Sequence, residues 1–145
     1  MSEKLLLKSI KLGYQLPQLV KKVTQEGINE NAVGSLDFNP IHIDVEWAKK
    51  INLLGKGTTI GHGMMTMSFL ASQISSWCYM SGWRIKNMDS KFVRPVRPGD
   101  EITCYAEVTA IHPTGKGKDF IEIESKAENQ AKEIVAVMKT EVECR

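Results

Sequence analysis

Asp37 and His42 lie five residues apart in the stretch DFNPIH, with Asn39 and Pro40 between them. A carboxylate and an imidazole this close can hold one water molecule between them, removing a proton at one point and delivering one at another, which is general acid–base chemistry near neutral pH. The backbone must turn for this to work, because a strand would send residues five apart to opposite faces. Pro40 has no amide hydrogen and disfavours helical geometry at Asn39, so the breaker aims the acid and the base to the same side. A second candidate is the His62-Gly63 step. If a helix starts there, its first amides and positive dipole end can stabilise an oxyanion, and Gly63 permits close approach to that amide.

The elements that must carry these groups are readable in outline. The run KLLLKSIKLGYQLP, ending before Pro17, predicts a first strand, and TQEGINENAVG predicts a short helix or irregular turn. Asp44 is a good N-cap for VEWAKKI, with Glu46 in the first turn and lysines near the end. A glycine-rich loop, LLGKGTTIGHG, leads to a helix from about Gly63 to Met80. The stretch Gly57 to Trp83 has no Asp, Glu, Lys or Arg. That length could span a bilayer, but Ser68, Ser72, Gln73, Ser75 and Ser76 make it too polar, so the expectation is a helix buried inside the protein and wrapped by other elements. Four strands follow: IKNMDSKFV, EITCYAEVTAIHP, DFIEIESKAE and EIVAVMKTEVE, separated by RPGD, PTGKGK and NQAK. Strand, buried helix, then antiparallel strands predicts an α+β fold with a curved sheet around one helix.

The 145 residues match one domain, 1–145, and no repeat or linker divides them. A net charge of +2 with scattered basic residues argues against a nucleic-acid partner. Cys78, Cys104 and Cys144 have no metal spacing, and three thiols cannot all pair within one chain, so a reducing, cytoplasmic setting is expected. The first residues, MSEKLLLKSI, lack the apolar core and cleavage site of a secretory signal. His42, His62 and His112 show no metal-ligand spacing, and GKGTTIG lacks the spacing of a phosphate-binding loop. The expectation is therefore no metal, no cofactor and no membrane association.

The string DFNPIHIDVEWA, with Ala48 six residues after His42, is followed by GHGMM and then by KFVRPVRPGD. In this order these motifs resemble the MaoC-like, (R)-specific enoyl-CoA hydratase family of the hot-dog fold, over essentially the whole chain. The resemblance implies a curved antiparallel sheet wrapped around a long central helix, paired with a second copy in a homodimer or a higher assembly of dimers. It implies Asp37 and His42 as the catalytic pair, Gly63 as an oxyanion-hole amide, and an acyl-CoA thioester as substrate. Asn39 is expected to hold the turn and touch the site, His62 to shape the pocket, and Met64 to line the acyl group. One departure matters: Leu36 stands where the family usually carries glycine before the aspartate.

The implied reaction is reversible hydration of a trans-2-enoyl-CoA to the (R)-3-hydroxyacyl-CoA, with base and acid roles unassigned within a coupled pair. A (3R)-hydroxyacyl carrier-protein dehydratase would use the same residues. A non-catalytic acyl-thioester-binding subunit would keep the fold alone. A hot-dog thioesterase is disfavoured, because no acidic residue lies between Gly63 and Met80.

Overall fold

A computed structural model describes residues 7–144. Four long strands of alternating sequence in the second half dominate the architecture. β1 (Leu19–Lys22), β2 (Arg84–Phe92), β3 (Glu101–His112), β4 (Phe120–Glu128) and β5 (Ile134–Glu143) form one antiparallel sheet in the order β1-β3-β4-β5-β2. In β4, Ile121, Ile123, Ser125 and Ala127 are buried while the residues between them are not, as a period of two requires. Register shifts at Ile85/Asn87 and at Val108/Ala110 let the long strands bend.

The curl of the sheet receives α4 (Gly63–Cys78), which turns Met65, Thr66, Leu70, Gln73, Ile74 and Cys78 inward. These positions recur at helical spacing and meet Ile102, Cys104, Val108, Ile121, Ile123, Met138 and Val142 in the core. Gln73 does not disrupt it, because its Nε2 donates to the carbonyls of Pro17 (2.8 Å) and Cys104 (3.0 Å). The expected enclosure on all sides is corrected: the sheet covers one face, and Met64, Ser68, Ser75 and Ser76 are exposed on the other. Serines hydrate well enough without charge, so a charge-free stretch does not require full burial.

The remaining helices form a layer beside the start of α4: α1 (Gln25–Ser35), α2 (Pro40–Ile43) and α3 (Val45–Lys50). The expected first strand is also corrected. Leu7–Ser9 is a 3-10 turn, and Lys4 to Leu6 lie outside the described residues. Gly13, at φ +80°, sits in a turn closed by Tyr14 N–H to Lys11 O, which breaks the extended path. Residues 13–16 run beside β3 through main-chain bonds to Val108 and Ala106 and a single bridge, Gln15 with Glu107, but the first strand proper begins after Pro17. Among the described residues no helix is long and apolar enough to cross a membrane.

Candidate active site

Three side-chain caps in series shape the loop between α1 and α3. Asp37 Oδ1 accepts from Asn39 N–H (3.2 Å), Asn39 Oδ1 accepts from Ile41 N–H (3.2 Å), and Asp44 Oδ1 accepts from Trp47 N–H (2.9 Å). Each satisfies an amide that a turn or helix start leaves unpaired. Pro40 occupies the first position of α2, where a missing N–H costs nothing. Leu36 ends α1 in the left-handed region, at φ 58° and ψ 25°, with its side chain exposed. The backbone conformation that glycine would favour is thus adopted by leucine.

This path brings the expected pair together. Asp37 Oδ2 lies 3.8 Å from His42 Nε2, too far for a direct hydrogen bond and close enough for one water to bridge both. The two environments differ: the aspartate side chain is 52% exposed and the histidine side chain 10%. His42 Nδ1 donates to Ile60 O at 2.8 Å. A carbonyl only accepts, so Nδ1 carries a hydrogen and, in the neutral ring, Nε2 presents its lone pair toward Asp37.

The loop before α4 is tied to this layer. Ile60 N–H donates to Ile41 O (3.0 Å), answering the His42 bond, and Gly61 N–H donates to Val96 O (2.7 Å). Gln25 adds a further clamp that the sequence did not reveal. Its Nε2 donates to His42 O (2.8 Å) while its Oε1 accepts from Thr59 Oγ1. A glutamine in the first turn of a helix carries no local sign of such a partner.

His62 precedes α4 and offers it no side-chain cap. Within α4, Met65 and Thr66 N–H groups reach His62 O, so Gly63 and Met64 amides lie ahead of the first intrahelical bonds. A Cβ on Gly63 would lie 3.0–3.2 Å from the half-exposed Phe92 ring, so any larger residue here needs that ring to give way. Met64 is exposed on the same turn, whereas Met65 is in the core and Met67 packs against it. His62 itself is only 3% exposed; its Nε2 donates to Asp37 O (3.0 Å), and its ring stacks on His42 with centroids 3.8 Å apart. It therefore touches the pair rather than an open pocket wall.

Asp37, His42 and His62 bring possible ligand atoms within 4.8 Å of one another. Their geometry is poor for a metal: the imidazole planes are 24° from parallel, so their in-plane lone pairs do not converge, and His62 Nε2 is engaged by Asp37 O. His112 is at the end of β3, not in a turn, and bonds Glu122 at 2.9 Å. Arg97 is tied to Thr58 and Arg94 to Ile134 O, both on the protein itself. A groove of about 730 Å³ lies on the outer sheet face, lined by Tyr105, Lys126 and Lys139 among others, and contains neither Asp37 nor His42. Cross-strand pairs such as Lys139–Glu124 account for much of its charge.

Residues 13–131 match the family model for the MaoC like domain. The chain belongs to this family. An (R)-specific enoyl-CoA hydratase from Rhodospirillum rubrum is 31% identical over 106 residues, 73% of this chain and 72% of that protein. A mitochondrial 3-hydroxyacyl-[acyl-carrier-protein] dehydratase from Arabidopsis thaliana is 30% identical over 114 residues, 79% of this chain and 65% of that protein. Among solved structures, the R-hydratase PhaJ1 from Pseudomonas aeruginosa superposes with a TM-score of 0.84 at 22% identity, covering 95% of this chain and 84% of that one. The MaoC-like fold is thus the hot-dog fold, with α4 held in the curl of the five strands. MaoC-like membership places the chain in a hydratase/dehydratase family, whose chemistry is that of hydro-lyases.

Proposed function

We propose that this protein, working as one hot-dog domain, adds water to a trans-2-enoyl-CoA to give the (R)-3-hydroxyacyl-CoA, and catalyses the reverse dehydration. The observation that carries this reading is the 3.8 Å gap between Asp37 Oδ2 and His42 Nε2, beside the start of α4. A water hydrogen-bonded to both atoms gives up a proton to the pair as its oxygen bonds to C3 of the enoyl group. The C2–C3 π electrons shift toward the thioester, and negative charge grows on its oxygen. The Gly63 amide, reinforced by the N-terminal end of a 16-residue helix, is suited to stabilise that charge. A proton from the pair then goes to C2, so one water is added overall and the protein is regenerated. His42 is suited to accept, because Ile60 O fixes its lone pair on Nε2.

Asn39 supports the site by holding the turn, and Met64 offers an apolar contact to the acyl chain at the first turn of α4. The 30% identity to the carrier-protein dehydratase supports a second reading in which the same residues act on a carrier-protein thioester. Homodimerisation is proposed through the free edge of β2, nine residues long, which presents the half-exposed Met88 and Phe92 beside Val93.

The test follows loss of the conjugated chromophore of crotonyl-CoA and of its carrier-protein analogue. Asp37→Asn and His42→Gln, each shown to be folded, are expected to lose on the order of 10²–10⁴ in kcat. Wild-type turnover in either variant would remove that residue from the chemistry, and faster turnover of the carrier-protein substrate would favour the second reading.

A further inference from the structure

We propose that His62 is a positioning residue that holds both members of the Asp37/His42 pair at once, an inference that rests on the hydratase reading above. Two contacts carry it. His62 Nε2 donates to the backbone carbonyl of Asp37 at 3.0 Å, fixing the residue that bears the carboxylate. Its ring lies against the face of His42, centroids 3.8 Å apart and planes 24° from parallel, which sets the tilt of the second member.

The arrangement over-determines one position of the imidazole. In its own plane His42 is fixed by Nδ1–H to Ile60 O, but a single hydrogen bond leaves the ring free to rock about that axis. Contact with His62 on one face removes this freedom. The Asp37 carboxylate is half exposed and anchored through Oδ1 to Asn39 N–H (3.2 Å), so its position depends on the local backbone, to which His62 is bonded. One ring therefore braces the separation between acid and base that the Asn39-Pro40 turn establishes.

Hydrogen bookkeeping agrees. Asp37 O can only accept, so His62 Nε2 must carry a hydrogen. Nδ1 is buried and has no hydrogen-bond partner among the described residues. A buried polar atom left unpaired is costly to keep, and a leucine or phenylalanine would fill the space without it. What those residues cannot supply is the donor to Asp37 O. His62 also immediately precedes Gly63, so the same residue links the proton-transfer pair to the helix start proposed to stabilise the enolate. A shift of about 1 Å in such a constellation can cost on the order of 100-fold in rate.

The experiment compares His62→Leu, which removes the donor, with His62→Gln, whose amide can reach the same carbonyl. Both are assayed on crotonyl-CoA and checked for folding by circular dichroism and thermal melting. For His62→Leu kcat is expected to fall ~10–100-fold with KM within about threefold of wild type, and His62→Gln, which restores the donor but not the stacked ring, is expected to recover part of the loss. A rise in KM alone would make His62 a substrate contact and overturn the proposal, as would wild-type kcat in the leucine variant. Equal loss in both variants would also overturn it, since the donor would then be irrelevant. Should His62→Leu fail to fold, His62→Asn takes its place, keeping polarity but falling short of Asp37 O. A second readout needs no turnover: the Nδ1–H proton of His42 in the substrate-free protein, observed by NMR. It is expected to be protected from solvent exchange in wild type and to exchange faster in His62→Leu and His62→Gln, both of which lack the ring that covers His42. Faster exchange in the variants together with no turnover by the wild-type protein would refute the hydratase reading while leaving the positioning role standing; unchanged protection in the variants would refute the positioning role.

Discussion

Replacing Leu36 by glycine should make this protein more stable. The residue closes α1 at φ 58° and ψ 25°, a conformation in which an L side chain crowds its own carbonyl, at a cost of roughly 1–2 kcal/mol. Glycine escapes that cost but loses more freedom on folding, offsetting roughly 0.5–1 kcal/mol. Leu36 is 77% exposed, so little buried apolar area is lost with its side chain. The net gain is about 0.5–1 kcal/mol, equivalent to a Tm rise of roughly 1–4 °C for a chain of this size. Thermal melting and urea denaturation should both show it, with the midpoint raised and the m-value unchanged. Leu36→Asn, which tolerates the left-handed region, should fall between wild type and glycine, and Leu36→Ala should give no gain. Because the Asp37 backbone already has its required path, kcat should not change in Leu36→Gly. If alanine stabilises as much as glycine, the benefit comes from removing an exposed apolar side chain and the backbone argument is wrong; a lower Tm in Leu36→Gly would refute it outright.

Gly63→Ala should destabilise by at most about 1 kcal/mol, because its Cβ would meet the Phe92 ring at 3.0–3.2 Å but that ring is half-exposed and can yield, and adding Phe92→Ala should remove the loss without recovering kcat; urea melts and the crotonyl-CoA assay separate the two effects. Cys78, Cys104 and Cys144 are buried and should resist iodoacetamide in the native protein yet label fully in urea, as mass spectrometry would record. Burial pushes the Cys104 thiol up to about 11, and burial followed by Asp119, Cys78 and Glu143 pushes Cys144 up to about 12. Both values are raised in the folded state, so their contribution to stability is present below the ordinary thiol value of 9.0 and is lost as pH climbs toward 11 to 12. Urea midpoints measured across that alkaline window should fall, and should fall less in Cys104→Ala measured against its own value at neutral pH.

What could be read from the sequence was what depends on neighbours in the chain. Asn39 and Asp44 act as caps because the groups they satisfy lie two and three residues away. The last four strands were legible from alternation, since the pleat itself imposes a period of two. β1 was not, because Leu19–Lys22 is four residues long at a sheet edge, while the more apolar run before it is interrupted by Gly13 in a left-handed turn. The exposed side of α4 was misjudged for a related reason: serine-rich and apolar faces both lack charge, and only the sheet decides which is covered.

The candidate site divides along the same line. The acid and base are local, five residues apart, and their separation follows from a turn that Asn39 and Pro40 write into the sequence. The amide proposed to stabilise the enolate comes from another part of the chain, held by main-chain bonds from Ile60 to Ile41 and from Gly61 to Val96. Main-chain partners leave no trace in side-chain type, which is why Gln25 on His42 O and Ile60 O on His42 Nδ1 were invisible beforehand. The two halves should accordingly fail in different ways. Substitutions from Asp37 to His42 should alter the distance across which a proton moves, whereas those at Gly61 or Val96 should displace the helix start and weaken charge stabilisation with the pair intact. His62 touches both halves, being bonded to Asp37, stacked on His42 and covalently joined to Gly63, and Gln25 ties them together from α1 through His42 O and Thr59.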